Sequence, residues 1–583
     1  RSYSVTGVQT CALPILGTAG DVDSDGYADV IVGAPYYDNG QTNEGRVFVY
    51  YGSYSGLPTA ADWTAESNQA GGSTSTQFGA DVGTAGDMNG DGYADVVVGA
   101  WRYDSGETDE GRVFVWYGSA DGLGSSGTPL NADWSAEGNQ GEAFFGYSVG
   151  TAGDVNGDGC ADLVIGAHGY NGSAGSDAGR VYVYYGSATG PFTVLTLDGD
   201  KASAFLGNSV GTAGDVNGDG YSDVIVGASS YSDPDLYEGR VYVYYGAVTG
   251  LNTASAATLE GGWANAYFGS SVGTAGDVNG DGYADVIIGA PILSIDQMYE
   301  GRAYIYYGSS TGVNGGGAPW WVEGGQDGAY LGNAVGTAGD VNGDGYADVI
   351  VGAYRYDAGE VDEGRAYLYL GSSAGPAYVP DWIAESDQSN GALGLSVGTA
   401  GDVNGDGYAD VIIGSGGYFS AGDADKQRAL VFYGNGRGGR PLVPRQTQTT
   451  MDPLAPLGMT DTCNAVRLSL WKRMPMGRDR VRLQWQLAPL GVAFGTSGSG
   501  AVSGTSSWSD LGGMLILPFL QDVPGLQGGV PYRWRVRLQY EPGNRLGQAA
   551  GPWVHVPWNG WSEEAFRTPH CILDLPLIQR NKS

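Results

Sequence analysis

Seven times along this 583-residue chain a nine-residue acidic loop returns, reading D-V-N-G-D-G-Y-A-D with small changes and always preceded by G-T-A-G. Oxygen donors at alternate positions of a tight loop converge on one point, which is the geometry that holds a hard divalent cation. At positions 1, 3, 5 and 9 the loops carry Asp21, Asp23, Asp25, Asp29; Asp87, Asn89, Asp91, Asp95; Asp154, Asn156, Asp158, Asp162; and Asp215, Asn217, Asp219, Asp223. The last three carry Asp277, Asn279, Asp281, Asp285; Asp340, Asn342, Asp344, Asp348; and Asp402, Asn404, Asp406, Asp410. Position 7 offers a backbone carbonyl, from Tyr27, Tyr93, Cys160, Tyr221, Tyr283, Tyr346 and Tyr408. A glycine sits sixth, where the sharp turn needs it. Flexible coordination by six to eight oxygens suits Ca²⁺ better than Mg²⁺, so one Ca²⁺ per loop, about seven in all, is the expected cofactor. Asp and Asn also build Asx turns in hairpin loops. With no cation, however, three or four carboxylates in each loop would repel one another uncompensated.

The loop starts lie 66, 67, 61, 62, 63 and 62 residues apart, so one supersecondary unit is repeated. A strand of small residues precedes each loop, as at Ser148-Val149-Gly150-Thr151-Ala152-Gly153, and an apolar run follows, as at Val96-Val97-Val98-Gly99-Ala100. A third strand is aromatic and β-branched, as at Arg112-Val113-Phe114-Val115-Trp116, and a weaker fourth holds Trp134 or its equivalents at Trp63, Leu259, Trp321 and Trp382. Four antiparallel strands in each of seven units predict an all-β chain built as a seven-bladed β-propeller.

The pattern F-G-x-S-V-G-T-A-G-D followed by V-I-V-G-A-P, spelled at Phe78-Gly79, Phe145-Gly146 and Phe268-Gly269 and at Gly33-Ala34-Pro35 and Gly289-Ala290-Pro291, resembles the FG-GAP repeat of integrin α-subunits and their bacterial relatives. The likeness covers residues 16–435. Leu206, Leu331 and Leu393 replace the phenylalanine, and Ser24 and Cys160 depart from the loop pattern at positions whose side chains are not ligands. Acidic loops in all seven repeats make the bacterial members the closer likeness. The resemblance implies an extracellular adhesion or ligand-binding function.

Net charge is −36, divided as −43 over residues 1–435 and +7 over residues 436–583. So acidic a surface is a poor match for nucleic acid. Seven of the basic residues are one repeated arginine, Arg46, Arg112, Arg180, Arg240, Arg302, Arg365 and Arg428, expected to pair with carboxylates between blades. No stretch is long and apolar enough to span a bilayer, which leaves secretion or attachment at the cell surface as the expected location.

Residues 1–15 read as the in-frame translation of a short-read sequencing adapter, an artefact excluded from the fold, with any signal peptide lost alongside the natural start. The seventh unit then lacks a fourth strand of its own. Residues 436–458 read as a linker rich in Gly, Pro, Arg and Thr. Residues 459–572 alternate polar and apolar at period two, predicting a small β-sandwich, and Pro524-Gly525-Leu526 ahead of Tyr532-Arg533-Trp534-Arg535-Val536 resembles a fibronectin type III stretch. Cys463 and Cys571 bracket this region and could close a disulfide; residues 573–583 form a tail.

No catalytic constellation is visible. His168, His555 and His570 are the only histidines and fall in different repeats or domains. In an up-and-down blade the 1–2 and 3–4 loops share one face, so the acidic loops occupy one side and the 2–3 loops the other. On that other side the residue after Gly-Ala or Gly-Ser varies: Pro35, Trp101, His168, Ser229, Pro291, Tyr354 and Gly416. Trp101, His168 and Tyr354, with Tyr103 and Tyr356 beside them, are therefore the expected ligand-binding residues. The expected function is adhesion or binding of an extracellular protein or glycan. The alternative is a polysaccharide hydrolase or lyase on the same scaffold, and the third reading is a structural spacer.

Overall fold

The computed structural model describes residues 2–5, 15–69, 76–188, 193–313, 318–405, 408–416 and 428–434, with a further set of strands between 443 and 567. Each repeat folds as a four-stranded antiparallel blade. In blade 1, Ile15–Gly20, Asp29–Ala34, Arg46–Tyr50 and Trp63–Glu66 pair in that order. Blade 2 uses Phe78–Gly86, Asp95–Ala100, Arg112–Trp116 and Trp134–Glu137, and the pattern continues round the ring. The inner strands of neighbouring blades pack together, that of blade 7 against that of blade 1, so the seven blades close into a propeller.

The second strand of every blade is buried along its whole length. That burial explains why it reads as an unbroken apolar run such as D-V-I-V-G-A. The core divides into seven clusters, each lying between two adjacent blades; Ile31 and Val47 of blade 1, for example, meet Phe78, Phe114 and Trp116 of blade 2. Two glycines let the blades approach. The one after the buried Phe or Leu adopts a left-handed φ, +82° at Gly79 and +84° at Gly146. A methyl group on Gly33 or Gly99 of the preceding blade would overlap the carbonyl of that same glycine.

Blade 7 takes its outer strand from outside the repeats. Ser2–Val5 pairs with Ala429–Phe432 as the outer strand, beyond Val397–Gly401, Asp410–Ser415 and Arg428–Phe432. Residues set aside from the fold thus supply a strand, and Ile15 begins the inner strand of blade 1. Strand addition is carried by main-chain hydrogen bonds, so the open edge of a blade accepts it with few side-chain demands.

The repeated arginine pairs within its blade rather than between blades. Arg46 opens the third strand directly opposite Glu66, which closes the fourth, and the same register sets Arg112 against Glu137 and Arg302 against Glu323. The ion pairs follow: Arg46–Glu66 at 4.0 Å, Arg112–Glu137 at 3.7 Å, and the closer Arg180–Asp198, Arg240–Glu260, Arg302–Glu323 and Arg365–Glu385.

Beyond the propeller, Val443–Thr447, inside the stretch expected as a linker, pairs with Ala465–Lys472, which pairs with Leu517–Pro524. A second antiparallel sheet is centred on Arg480–Pro489 and Pro531–Tyr540. Cys463 and Cys571 lie outside the described residues.

Candidate functional site

Each acidic loop is folded by its own carboxylates. In the first, the Asp21 carboxylate accepts the N–H groups of Asp25 at 3.1 Å and Gly26 at 2.9 Å, Asp23 accepts that of Asp25 at 3.2 Å, and Asp25 accepts that of Tyr27 at 3.0 Å. The same contacts recur at Asp87, Asn89 and Asp91, at Asp154, Asn156 and Asp158, and at Asp215, Asn217 and Asp219. They recur again at Asp277, Asn279 and Asp281 and at Asp340, Asn342 and Asp344. In the seventh loop Asp406 lies outside the described residues.

The ninth residue locks the loop to its blade. Asp29 is fully buried and accepts the Val22 N–H and the Gly52 N–H, each at 2.8 Å. Asp95, Asp162, Asp223, Asp285, Asp348 and Asp410 repeat the arrangement. A carboxylate has about four lone-pair sites, so two N–H bonds leave it able to face a cation as well.

The seven loops are also tied to one another. The N–H of the eighth residue donates to the carbonyl of the first residue of the preceding loop, as in Ala94 to Asp21 at 3.1 Å and Ala161 to Asp87 at 2.8 Å, right round to Ala28 and Asp402. The position-7 tyrosine seals the joint: Tyr283 lies against Gly218, Tyr346 against Gly280, and Tyr27 of blade 1 against Gly405 of blade 7. Cys160 takes this place in blade 3 as a buried free thiol.

The first loop fits a divalent cation. Oxygens bound to one Ca²⁺ at 2.3–2.6 Å sit within about 5 Å of one another; those of Asp21, Asp23 and Asp29 lie within 4.8 Å. Burial pushes the carboxyls of Asp21, Asp87 and Asp340 up to about 7 and that of Asp277 to about 6. Burial likewise holds Asp29, Asp95, Asp162, Asp223, Asp285 and Asp348 well above the ordinary range. A bound cation would offset that desolvation. A second acidic group, Glu363, Glu385 and Asp387, has its Glu385 engaged by Arg365.

The opposite face is organised by a residue the sequence reading passed over. Glu44, Glu110, Glu238, Glu300 and Glu363 are all buried. Glu44 accepts the Asn39 N–H at 2.7 Å, Glu110 the Ser105 N–H at 2.8 Å and Glu363 the Ala358 N–H at 2.6 Å, folding each 2–3 loop over its carboxylate. The signal was the recurring Glu-Gly-Arg, of which only the arginine was read.

Trp101, half-buried, packs edge-on to Phe144 at 5.2 Å and Tyr147 at 5.6 Å, with Arg102 over its face at 4.4 Å. His168 lies among Phe144, Tyr147 and Phe205, its Nδ1 without a hydrogen-bond partner, and burial pushes it down to about 4, so it is neutral at pH 7. Tyr354 meets Tyr330 at 5.5 Å, and Arg355 lies over both rings. Tyr103 and Tyr356 turn inward, against Phe114 and Tyr367, and stack on Arg112 and Arg365. The structure therefore joins Trp101 and His168 through Phe144 and Tyr147, and sets Tyr354 in a separate group. No helix among the described residues is long and apolar enough to cross a membrane.

The FG-GAP repeat family matches at residues 15–50, 78–116, 145–184, 206–244, 268–306, 331–369 and 393–432, one match per blade. Integrin alpha-V of Gallus gallus is 35% identical over 237 residues, 39% of this chain and 22% of its own. Integrin alpha-PS2 of Drosophila melanogaster is 33% identical over 228 residues, covering 37% of this chain and 16% of its own. Phosphatidylinositol-glycan-specific phospholipase D of Bos taurus is 35% identical over 201 residues, covering 32% and 24%. The chain thus spans a quarter or less of the length of these relatives. With one match in every blade and the two glycines of the motif meeting between blades, residues 15–432 belong to the FG-GAP repeat family as an integrin-α-like seven-bladed propeller.

Proposed function

We propose that this chain is an extracellular or cell-surface adhesion protein whose propeller is held together by Ca²⁺ at its seven acidic loops and binds a protein or glycan partner through the opposite loop face. The observation that carries the reading is the closed ring of acidic loops on one side of the propeller, linked from Ala94–Asp21 round to Ala28–Asp402. On this reading the ring serves cations on one face and leaves the other, with its varied Trp101, His168 and Tyr354, to a partner. Extracellular modules of this kind bind Ca²⁺ at roughly 10⁻⁴–10⁻³ M, matched to extracellular calcium.

The test is a binding screen of the full chain against immobilised extracellular-matrix proteins and a glycan array, in millimolar Ca²⁺ and in EDTA, with melting curves recorded alongside. Calcium-dependent capture of at least one probe together with a lower melting temperature in EDTA is the expected result. Equal melting curves in both conditions would remove calcium from the reading.

Similarity to a phospholipase D sustains a second reading, an enzyme on the same scaffold. Release of product from polysaccharide or glycosylated lipid by the purified chain, abolished by substitution of a loop-face carboxylate, would favour it.

A further inference from the structure

The 2–3 loops of blades 4 and 5 break the pattern of the other blades at one position and share a second departure with blade 6. Just before the buried glutamate, or Ala178 in its place in blade 3, the repeat carries Asn43, Asp109, Asp177 and Asp362, all at left-handed φ of 50–52°. Asn and Asp tolerate that conformation best among residues with a side chain, and a bulky ring is disfavoured there. Blades 4 and 5 nonetheless place Tyr237 at 51° and Tyr299 at 54°. One residue earlier, Thr42, Thr108 and Ser176 give way to Leu236 and Met298, 57% and 60% exposed, and in blade 6 to the smaller Val361, 61% exposed.

Both loops are held rigidly in place. Leu236 and Tyr237 accept the N–H groups of Asn265 at 2.7 Å and Tyr267 at 3.0 Å, and Met298 and Tyr299 accept those of Gly328 at 2.7 Å and Tyr330 at 3.0 Å. Tyr237 stacks on Tyr267 at 5.3 Å and Tyr299 on Tyr330 at 5.8 Å, while Trp263, in the loop that leads to Tyr267, is 49% exposed. Leu236 and Met298 therefore face solvent next to two tyrosines held against the preference of their own backbone, on the face opposite the acidic ring. Phe144 and Phe205 accept the same conformation packed against His168, whereas Tyr237 and Tyr299 are left 36% and 41% exposed.

We propose that the 2–3 loops of blades 4 and 5 form a docking surface for a partner protein that presents apolar side chains inside a basic rim. Leu, Met, Tyr and Trp together make the core of a protein interface, whereas a sugar-stacking site would need ring faces and gain little from Leu236 and Met298. The rim is acidic: Asp233, Asp235, Asp296 and Asp327 are exposed, and the nearby Lys201 is already ion-paired to Asp233 at 3.5 Å. A basic partner complements that rim, and a second copy of this −43 propeller would be repelled by it.

The proposal rests on the loop face being the binding face, and the test separates the two. Leu236→Thr, Tyr237→Asp, Met298→Thr and Tyr299→Asp are combined in the full chain, each importing a residue that other blades carry at the same position. Calorimetry is run with melittin, a basic amphipathic peptide, with poly-L-lysine and with cellohexaose. Melittin affinity should fall at least tenfold in the variant, with poly-L-lysine affinity unchanged or raised by the two added carboxylates and the melting temperature equal to or above that of the parent. Unchanged melittin affinity, or a melting temperature several degrees lower, overturns the proposal. Cellohexaose binding that the variant abolishes overturns it in favour of a glycan site. A second variant, Tyr354→Ala with Arg355→Ala, sits elsewhere on the same face. Melittin affinity lost only there keeps the face and overturns the blade 4–5 assignment; affinity untouched by both variants overturns the face itself.

Discussion

The backbone N–H of Ala28 donates to the carbonyl of Asp402 at 3.1 Å, joining the first acidic loop to the last. Every loop is thereby the neighbour of two others through main-chain bonds, and a change in one loop is felt at the first residue of the next. Asp219→Asn isolates the contribution of a single site, because the amide keeps the oxygen that accepts the Tyr221 N–H at 3.1 Å and loses only the charge. At 10 mM Ca²⁺, losing a site with a Kd of 10⁻⁴–10⁻³ M costs about 1.4–2.7 kcal/mol by mass action. In EDTA the same substitution relieves repulsion and should leave the melting temperature unchanged or raised. A drop of equal size in both conditions would give Asp219 a structural role alone.

The two glycines that give the motif its spelling differ sharply from a third on the inner strand. A methyl group at Gly166 of blade 3 would overlap the Gly207 carbonyl of blade 4, while one at Gly211 would meet nothing within 4 Å. Gly166→Ala should destabilise by about 3 kcal/mol or more, through overpacking against rigid backbone. Gly211→Ala should fall within about 1 kcal/mol of the parent, on either side. Urea denaturation of both variants decides it, and similar losses would mean that the interblade spacing is softer than the packed inner strands require.

Much of this was legible in the sequence because the information repeats. Alternating acids at a period near 63 residues, together with V-I-V-G-A runs, define the blades and the acidic loops without recourse to coordinates. Pairing partners were less legible. The partner of Arg46 is set by the register of the third and fourth strands, which puts Glu66 opposite it and not a carboxylate of the next blade. Glu44 was passed over because its partners are backbone N–H groups, which leave no mark in composition. The pairing of Ser2–Val5 with Ala429–Phe432 follows from the missing fourth strand of the seventh repeat, since a main-chain edge accepts many sequences.

Asp81 predicts a pH dependence independent of the cation loops. It stands on the inner strand of blade 2 where the next three blades have Ser148, Ser209 and Ser271, and its carboxylate accepts the Val149 N–H of blade 3 at 2.8 Å. The serines make the same bridge, Ser148 to the Val210 N–H and Ser209 to the Val272 N–H, both at 3.1 Å. Burial pushes the Asp81 carboxyl from 3.8 up to about 7. An acid raised on folding binds more protons folded than unfolded, so stability declines as pH rises from about 4 through 7. Asp81→Ser removes that slope and keeps the bridge. The variant should gain on the parent between pH 5 and pH 8 in melting scans, and parallel curves would show that Asp81 is ionised throughout.

Trp101 separates packing from recognition on the loop face. Its edge-on contacts with Phe144 and Tyr147, with Arg102 over the ring, join blades 2 and 3. Each aromatic contact is worth about 0.5–1.5 kcal/mol beyond area burial, so Trp101→Ala should cost about 1–3 kcal/mol of stability before any partner is considered. Loss of binding in that variant alone would therefore be ambiguous. Trp101→Phe retains a ring against Phe144 and removes the indole N–H and part of the outer surface. If Trp101 reads a partner, the Phe variant should melt within a few degrees of the parent and bind a probe from the matrix or glycan screen more weakly by over about 1 kcal/mol. Parent-like affinity in Trp101→Phe, with lowered stability in Trp101→Ala, would make Trp101 a scaffold residue that holds Phe144 and Tyr147 in place.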